Sequence, residues 1–147
     1  MSRLSIADLN KLSGVSKDEL IETYELFRSA HTVLYNKMNK LINKSNISIY
    51  KYKSLTNMTG IMQYKISHEF KYLYHECILL LDNLTLFAEL VENYQSLLHT
   101  LKYTDKIGEI SKLMSIIHIR RKDLINIENI LYDCIREIDR KEYNNEE

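Results

Sequence analysis

The sequence predicts an all-α protein: an elongated antiparallel helical bundle or coiled coil of three long helices, preceded by a short N-terminal helix. Three observations carry this. Apolar residues recur every seven positions in three separate tracts, the spacing that holds one stripe of a helix against a neighbour. The chain has 147 residues with no Pro and only 3 Gly, so it lacks the residues that most often break helices and turn strands. Hydrophobic residues make up 45% of it, the ordinary proportion for a folded chain, and the length suffices for one core. Residues 1–147 therefore read as a single all-helical domain.

The short N-terminal helix is expected within 1–16 and the first long helix over 17–44. Leu20, Phe27, Leu34 and Leu41 form one row of its seam, and Tyr24, His31 and Met38 the other. Ser16 reads as the N-cap, with Glu19 completing a capping box. Asp18, Glu19, Glu22 and Glu25 sit at its start and Lys37, Lys40 and Lys44 at its end, both favourable against the helix dipole. A link is expected over 45–56. Its stretch Ile47-Ser48-Ile49-Tyr50-Lys51-Tyr52-Lys53 alternates apolar and polar residues and suits a short strand or an irregular segment.

The longest helix is expected over 57–102, with a kink placed near Asp82-Asn83. Phe70, Cys77, Leu84, Val91 and Leu98 form one seam row, and Ile66, Leu73, Leu80, Phe87, Tyr94 and Leu101 the other. The short link at Tyr103-Thr104 makes the next helix antiparallel to it. That helix, capped by Thr104-Asp105, is expected over 105–142. Ile110, Ile117, Leu124, Leu131 and Ile138 repeat every seven residues, with Leu113, Ile127 and Cys134 in the partner row and Arg120 intruding. Residues 143–147 form a polar tail.

Composition narrows the function classes. The charge balance is 20 basic against 20 acidic residues, which removes the easiest argument for nucleic-acid binding, a strongly basic domain. The first residues, MSRLSIADLN, lack the apolar core of a signal peptide. The longest apolar stretch, from Cys77 toward Leu90, is interrupted by Asp82, Asn83 and Glu89 and is too short to span a bilayer. The expectation is a protein of the cytoplasm, or of the host-cell interior if viral, with no membrane contact. The Ile, Lys, Asn and Tyr bias suits an AT-rich genome such as a low-GC bacterium, its phage or a large DNA virus.

No catalytic, cofactor or metal site is expected. Cys77 and Cys134 occupy seam positions and read as small reduced core residues. His68-Glu69 and His75-Glu76 look like a doubled metal motif. Two His seven residues apart stand about 10 Å apart along a helix and cannot share one ion. His31 and Arg120 are polar seam residues whose expected role is to fix register.

Two surfaces remain as candidates. Ile78, Leu79, Leu81 and Leu86 lie on the back and flanks of the longest helix, beyond its seam. A helix apolar nearly all round needs a second cover. A homodimer is favoured; the N-terminal helix or a folded-back first helix covering it within the monomer is the alternative. Lysines interleave with tyrosines at Lys37, Lys40, Lys44, Tyr50, Lys51, Tyr52, Lys53, Lys65 and Lys71. Such a pattern suits a phosphate backbone and stacked bases, or a solvated surface, or charges that set register between antiparallel subunits. The nucleic-acid contacts it nominates are Lys17, Lys44, Lys51, Lys53 and Lys65.

Residues 5–25 begin Ser5-Ile6-Ala7-Asp8-Leu9-Asn10-Lys11-Leu12-Ser13-Gly14-Val15-Ser16-Lys17. This segment resembles the helix-turn-helix head of bacterial and phage repressors of the lactose and tetracycline type. The resemblance implies a turn at Gly14, a plug at Val15, a cap at Ser16 and a second helix that enters the DNA major groove. The same residues also read as an ordinary helix end followed by a capped helix. The resulting expectation is a non-enzymatic helical interaction protein (an adaptor, inhibitor or assembly factor) acting through protein contacts. The alternative is a small dimeric helix-turn-helix transcriptional regulator.

Overall fold

Three α-helices make up the fold in this computed structural model, which describes residues 17–102 and 106–146. They are α1 (Lys17–Ser54), α2 (Gly60–Thr100) and α3 (Ile107–Glu146). No strand occurs among the described residues. The expected N-terminal helix, the Ser16 cap, the Tyr103-Thr104 link and the Thr104-Asp105 cap lie outside them.

The first helix is longer than its sequence pattern suggests. It runs past Lys44 to Ser54, so most of the expected 45–56 link is helix, and the strand-like stretch Ile47–Lys53 is helical too. The reason lies in the seam. The row Tyr24, His31, Met38 continues at the same spacing through Ser45 and Tyr52, and Ile42 and Ile49 fill the partner side; all seven are buried. Ile47, which the alternation would place on one face with Ile49, is exposed, and Tyr50, which it would place with Tyr52, is exposed while Tyr52 is buried. That is the three-to-four spacing of a helix and not the two of a strand.

The ends are set by ordinary backbone devices. The Leu55 N–H donates to the Tyr52 carbonyl at 3.2 Å, tightening the last turn of α1, where Lys51 and Lys53 complement the dipole. Thr59 caps α2: its hydroxyl accepts the Met62 N–H at 3.2 Å, as an N-cap side chain does. The helix therefore starts at Gly60 and passes unbroken through Asp82-Asn83. It ends with Lys102 in the left-handed region, φ 61°, the backbone state that commonly stops a helix.

Contacts cluster into two units. Unit one comprises the described residues up to Tyr35 with Asn83–Ile119; unit two comprises Asn36–Asp82 and the chain from Arg120 onward. Each helix contributes a segment to both.

In unit one, α1 and α2 run in opposite directions. The Tyr94 hydroxyl donates to the Leu20 carbonyl. Phe27, further along α1, meets Phe87 edge-on at 6.1 Å and Tyr94 at 5.1 Å. Leu84, Val91, Leu97, Leu98, Ile110 and Ile117 complete the core. Gln95 donates to Ser111 at 3.2 Å, joining α2 to α3.

Unit two has its own core of Met38, Ile42, Ile49, Phe70, Leu73, Cys77, Leu80, Leu124, Ile127, Leu131 and Ile138. Tyr52 packs edge-on against Phe70 at 5.4 Å. Three polar residues, Ser45, Gln63 and Ser67, are buried with it. The Gln63 amide donates to the Ile138 carbonyl at 3.2 Å. Arg120, the intruder in the third seam, is half-buried and partnered: it donates to Asn39 at 2.6 Å and to Asp123 at 2.8 Å.

Candidate interaction surfaces

The apolar residues expected at an interface divide by exposure. Leu79 and Leu86 are exposed, whereas Ile78 and Leu81 are half-buried on the flanks of the seam. Leu79 lies in unit two and Leu86 in unit one.

In unit two, Leu79 belongs to a longer outer stripe. Ile61, Tyr64, His68, Tyr72, His75 and Leu79 follow one another at intervals of three or four residues, and all are exposed. Positions so spaced share one face of a helix. Ile61 is 71% exposed, Tyr64 64% and Tyr72 57%, so these side chains stand mostly in solvent and are not edges of the core. Tyr64 and His68 stack at 5.7 Å. In unit one, α2 exposes Leu86 and Leu90, and α1 exposes Leu26 and Val33.

The lysines do not form one group. The side chain of Lys17 lies outside the described residues. Lys37, Lys40, Lys44 and Lys51 share one exposed stripe of α1 with Ile47. Lys53 falls on the other flank of that helix, close enough to Glu137 and Cys134 to influence both. Lys65 is on the outside of α2. Tyr50 is 75% exposed, but Tyr52 is buried and unavailable for stacking.

A shallow pocket of about 400 Å³ sits at the α1–α2 link, lined by Tyr52, Leu55, Thr56, Asn57, Met58, Gln63 and Lys141. Its charged groups compensate one another. Lys141 pairs with Glu137 at 3.3 Å and lies over the Tyr52 ring at 5.5 Å. The Tyr52 hydroxyl donates to Glu137 at 2.7 Å. That bond holds the Glu137 carboxyl below its ordinary range, while burial and then the same bond raise the Tyr52 hydroxyl. Both shifts lead away from proton transfer near neutral pH, where an acid–base pair would need a raised carboxyl.

The thiols are also quiet. Cys77 and Cys134 are buried and free. Burial pushes Cys77 up to about 12, with Glu128 and Glu76 adding to it, and raises Cys134 likewise. A thiol, not a thiolate, is a poor nucleophile. Among the described residues no three His, Cys, Asp or Glu side chains converge on a metal position. No helix among them is long and apolar enough to cross a membrane.

His31 is buried in unit one and stacks on Tyr35 at 6.1 Å. Burial lowers its pKa, opposed by a hydrogen bond to the Leu113 backbone; its Nε2 has no partner. Of the repressor-like segment, residues 5–16 lie outside the described ones. The described part opens α1 with Asp18 and Glu19 in the first turn.

No family model, no curated protein and no solved structure matches this chain.

Proposed function

We propose that this chain is a non-enzymatic interaction protein, an adaptor, inhibitor or assembly factor, that docks a second helical surface on the outer stripe of α2. The observation behind the reading is the exposure of Ile61, Tyr64, Tyr72 and Leu79 at helical spacing in unit two. Rows of large apolar side chains on a helix are the anchors by which helices recognise grooves and other helices. Tyr and Leu there bring apolar area with little rotamer entropy to lose. The simplest occupant is a second copy of the chain, which would give an antiparallel helical assembly with the stripe at its centre.

Sedimentation equilibrium tests this. The wild type is expected to self-associate in the micromolar range. Tyr72→Glu with Leu79→Glu is expected to yield a monomer with unchanged helix content and a thermal midpoint that no longer depends on concentration. A wild type that stays monomeric to high concentration and loses no captured partner on the double substitution overturns the reading. A repressor-like head at residues 5–25 would add DNA binding to the same docking body. A gel shift at low salt with a variant lacking residues 1–16 decides that part separately.

A further inference from the structure

We infer that the lysine stripe on the unit-two part of α1 is a binding site for single-stranded nucleic acid. The first observation is a charge run. From Leu26 to His68 the chain has no Asp or Glu, while it carries Arg28, Lys37, Lys40, Lys44, Lys51, Lys53 and Lys65. A chain with as many acids as bases overall has thus gathered one sign in one segment.

The second is geometry. Lys37, Lys40, Lys44 and Lys51 fall on one face of α1 at helical spacing, and all four are exposed. The stripe is about 21 Å long at 1.5 Å per residue. Among the described residues none of the four has a carboxylate within ion-pair distance. Elsewhere in the same unit Lys71 and Lys141 do have one. One acid reaches this part of α1: Glu69 accepts a hydrogen bond at 2.8 Å from Ser48, which lies between Lys44 and Lys51 in sequence.

The third is what accompanies the charge. Asn36, Asn43, Asn46 and Tyr50 are exposed beside the stripe, and Tyr50 is the most exposed large apolar residue described. Amide side chains bond phosphate and sugar, and an exposed ring stacks on unpaired bases. A duplex presents no free base face to Tyr50, which favours the single strand. A membrane-surface helix needs a broad apolar face. Here the apolar face of α1 is already in the core, and only Ile47 interrupts the lysines. This site is independent of the α2 stripe.

The test is fluorescence anisotropy of a labelled oligothymidylate with the full chain. Each phosphate neutralised on a single strand contributes about 0.7 to the salt dependence, so four lysines predict a log–log slope of about −2.8. Lys40→Gln with Lys44→Gln is expected to halve that slope and weaken low-salt binding about tenfold. Tyr50→Ala is expected to weaken binding about tenfold at unchanged slope. Glu69→Gln should tighten it, and Lys122→Gln on α3 should leave it unchanged; circular dichroism checks that each variant is folded. Absence of binding at low salt overturns the inference. So does equal loss with Lys122→Gln, duplex binding as tight as single-strand binding, or equal competition by polyglutamate or phosphatidylserine vesicles.

Discussion

In unit one the seam closes on aromatic rings: Phe27 against Phe87 and Tyr94, with Tyr24 beside Lys106. In unit two, on the same helices, the seam takes in Ser45, Gln63 and Ser67, and Arg120 reaches Asn39 at its edge. Apolar contact is tolerant, since any well-filled arrangement of rings and methyls excludes water. Buried polar groups are not tolerant, because each must meet a partner or lose its hydration uncompensated. The heptad repeat sets which face is buried in both units. In unit two the partnered polar groups, Gln63 on the Ile138 carbonyl and Arg120 on Asn39, also favour one register among those the repeat allows.

Core truncations probe what the units share. Leu84 in unit one is 1% exposed and Leu131 in unit two 0%. Either one changed to Ala is expected to cost about 2–5 kcal/mol in urea unfolding. Hydrogen exchange should show protection falling first in the unit that carries the substitution. Equal loss throughout would erase the distinction between the units.

The polar seam separates them. Gln63→Ala removes the donor to the Ile138 carbonyl and leaves a void, for an expected loss of about 1–3 kcal/mol. Ser45→Ala should do the reverse. The Ser45 hydroxyl is fully buried and has no hydrogen-bond partner, so removing it is expected to be neutral or to stabilise by up to about 1 kcal/mol. Calorimetric midpoints moving in opposite directions for two buried polar residues of one unit would show that partnering, and not polarity, decides the sign.

The same contrast explains what could be read from the sequence. The α3 row Ile110, Ile117, Leu124, Leu131, Ile138 is uniformly aliphatic and is buried throughout, so period alone finds it. The end of α1 was hidden because Ser45 sits at a seam position inside a run of Asn, Lys and Ser. A polar residue there breaks the visible pattern without breaking the helix. The division into units leaves no mark, since a heptad repeats alike on both sides of it. The outer stripe of α2 is hard to read from sequence because His68 and His75 interrupt the apolar spacing that Ile61, Tyr64 and Tyr72 carry. Of the four residues on the back and flanks of α2, Ile78 and Leu81 are half-covered, because positions beside a seam are shielded by the neighbours that fill it. The four-lysine stripe needed the longer α1 before Lys51 could join Lys37, Lys40 and Lys44 on one face.

The polar seam residue of unit one, His31, has a pH signature. Burial lowers its pKa, so the folded chain prefers the neutral ring, while the unfolded chain takes up a proton at about 6.5. Its contribution to stability is therefore complete above that value. It is lost as pH falls through 6.5 toward the lower folded value, and is level below both. The groups around it, the Tyr35 ring and the Leu113 backbone, supply no carboxylate to hold the charged form. Urea unfolding of the wild type should weaken from neutral pH down through this range. His31→Gln should be flat over the same window, and a variant that tracks the wild type would assign the slope to other groups.

The smallest effects are expected at the two ends of α2, where the units again differ. Gly60 opens α2 in unit two with no positive φ, and a Cβ there would meet nothing within 4 Å. Its freedom is of use only to the unfolded chain, so Gly60→Ala should stabilise by about 0.4–1 kcal/mol. Lys102 closes α2 in unit one at φ 61°, a conformation that disfavours any residue with a Cβ. Lys102→Gly relieves that strain but gives the unfolded chain more freedom. The two terms oppose each other, and the net gain should not exceed about 1 kcal/mol. A loss on Lys102→Gly, measured beside a gain on Gly60→Ala, would mean that the added freedom of the unfolded chain, or a contact of the lysine side chain, outweighs the relieved backbone strain.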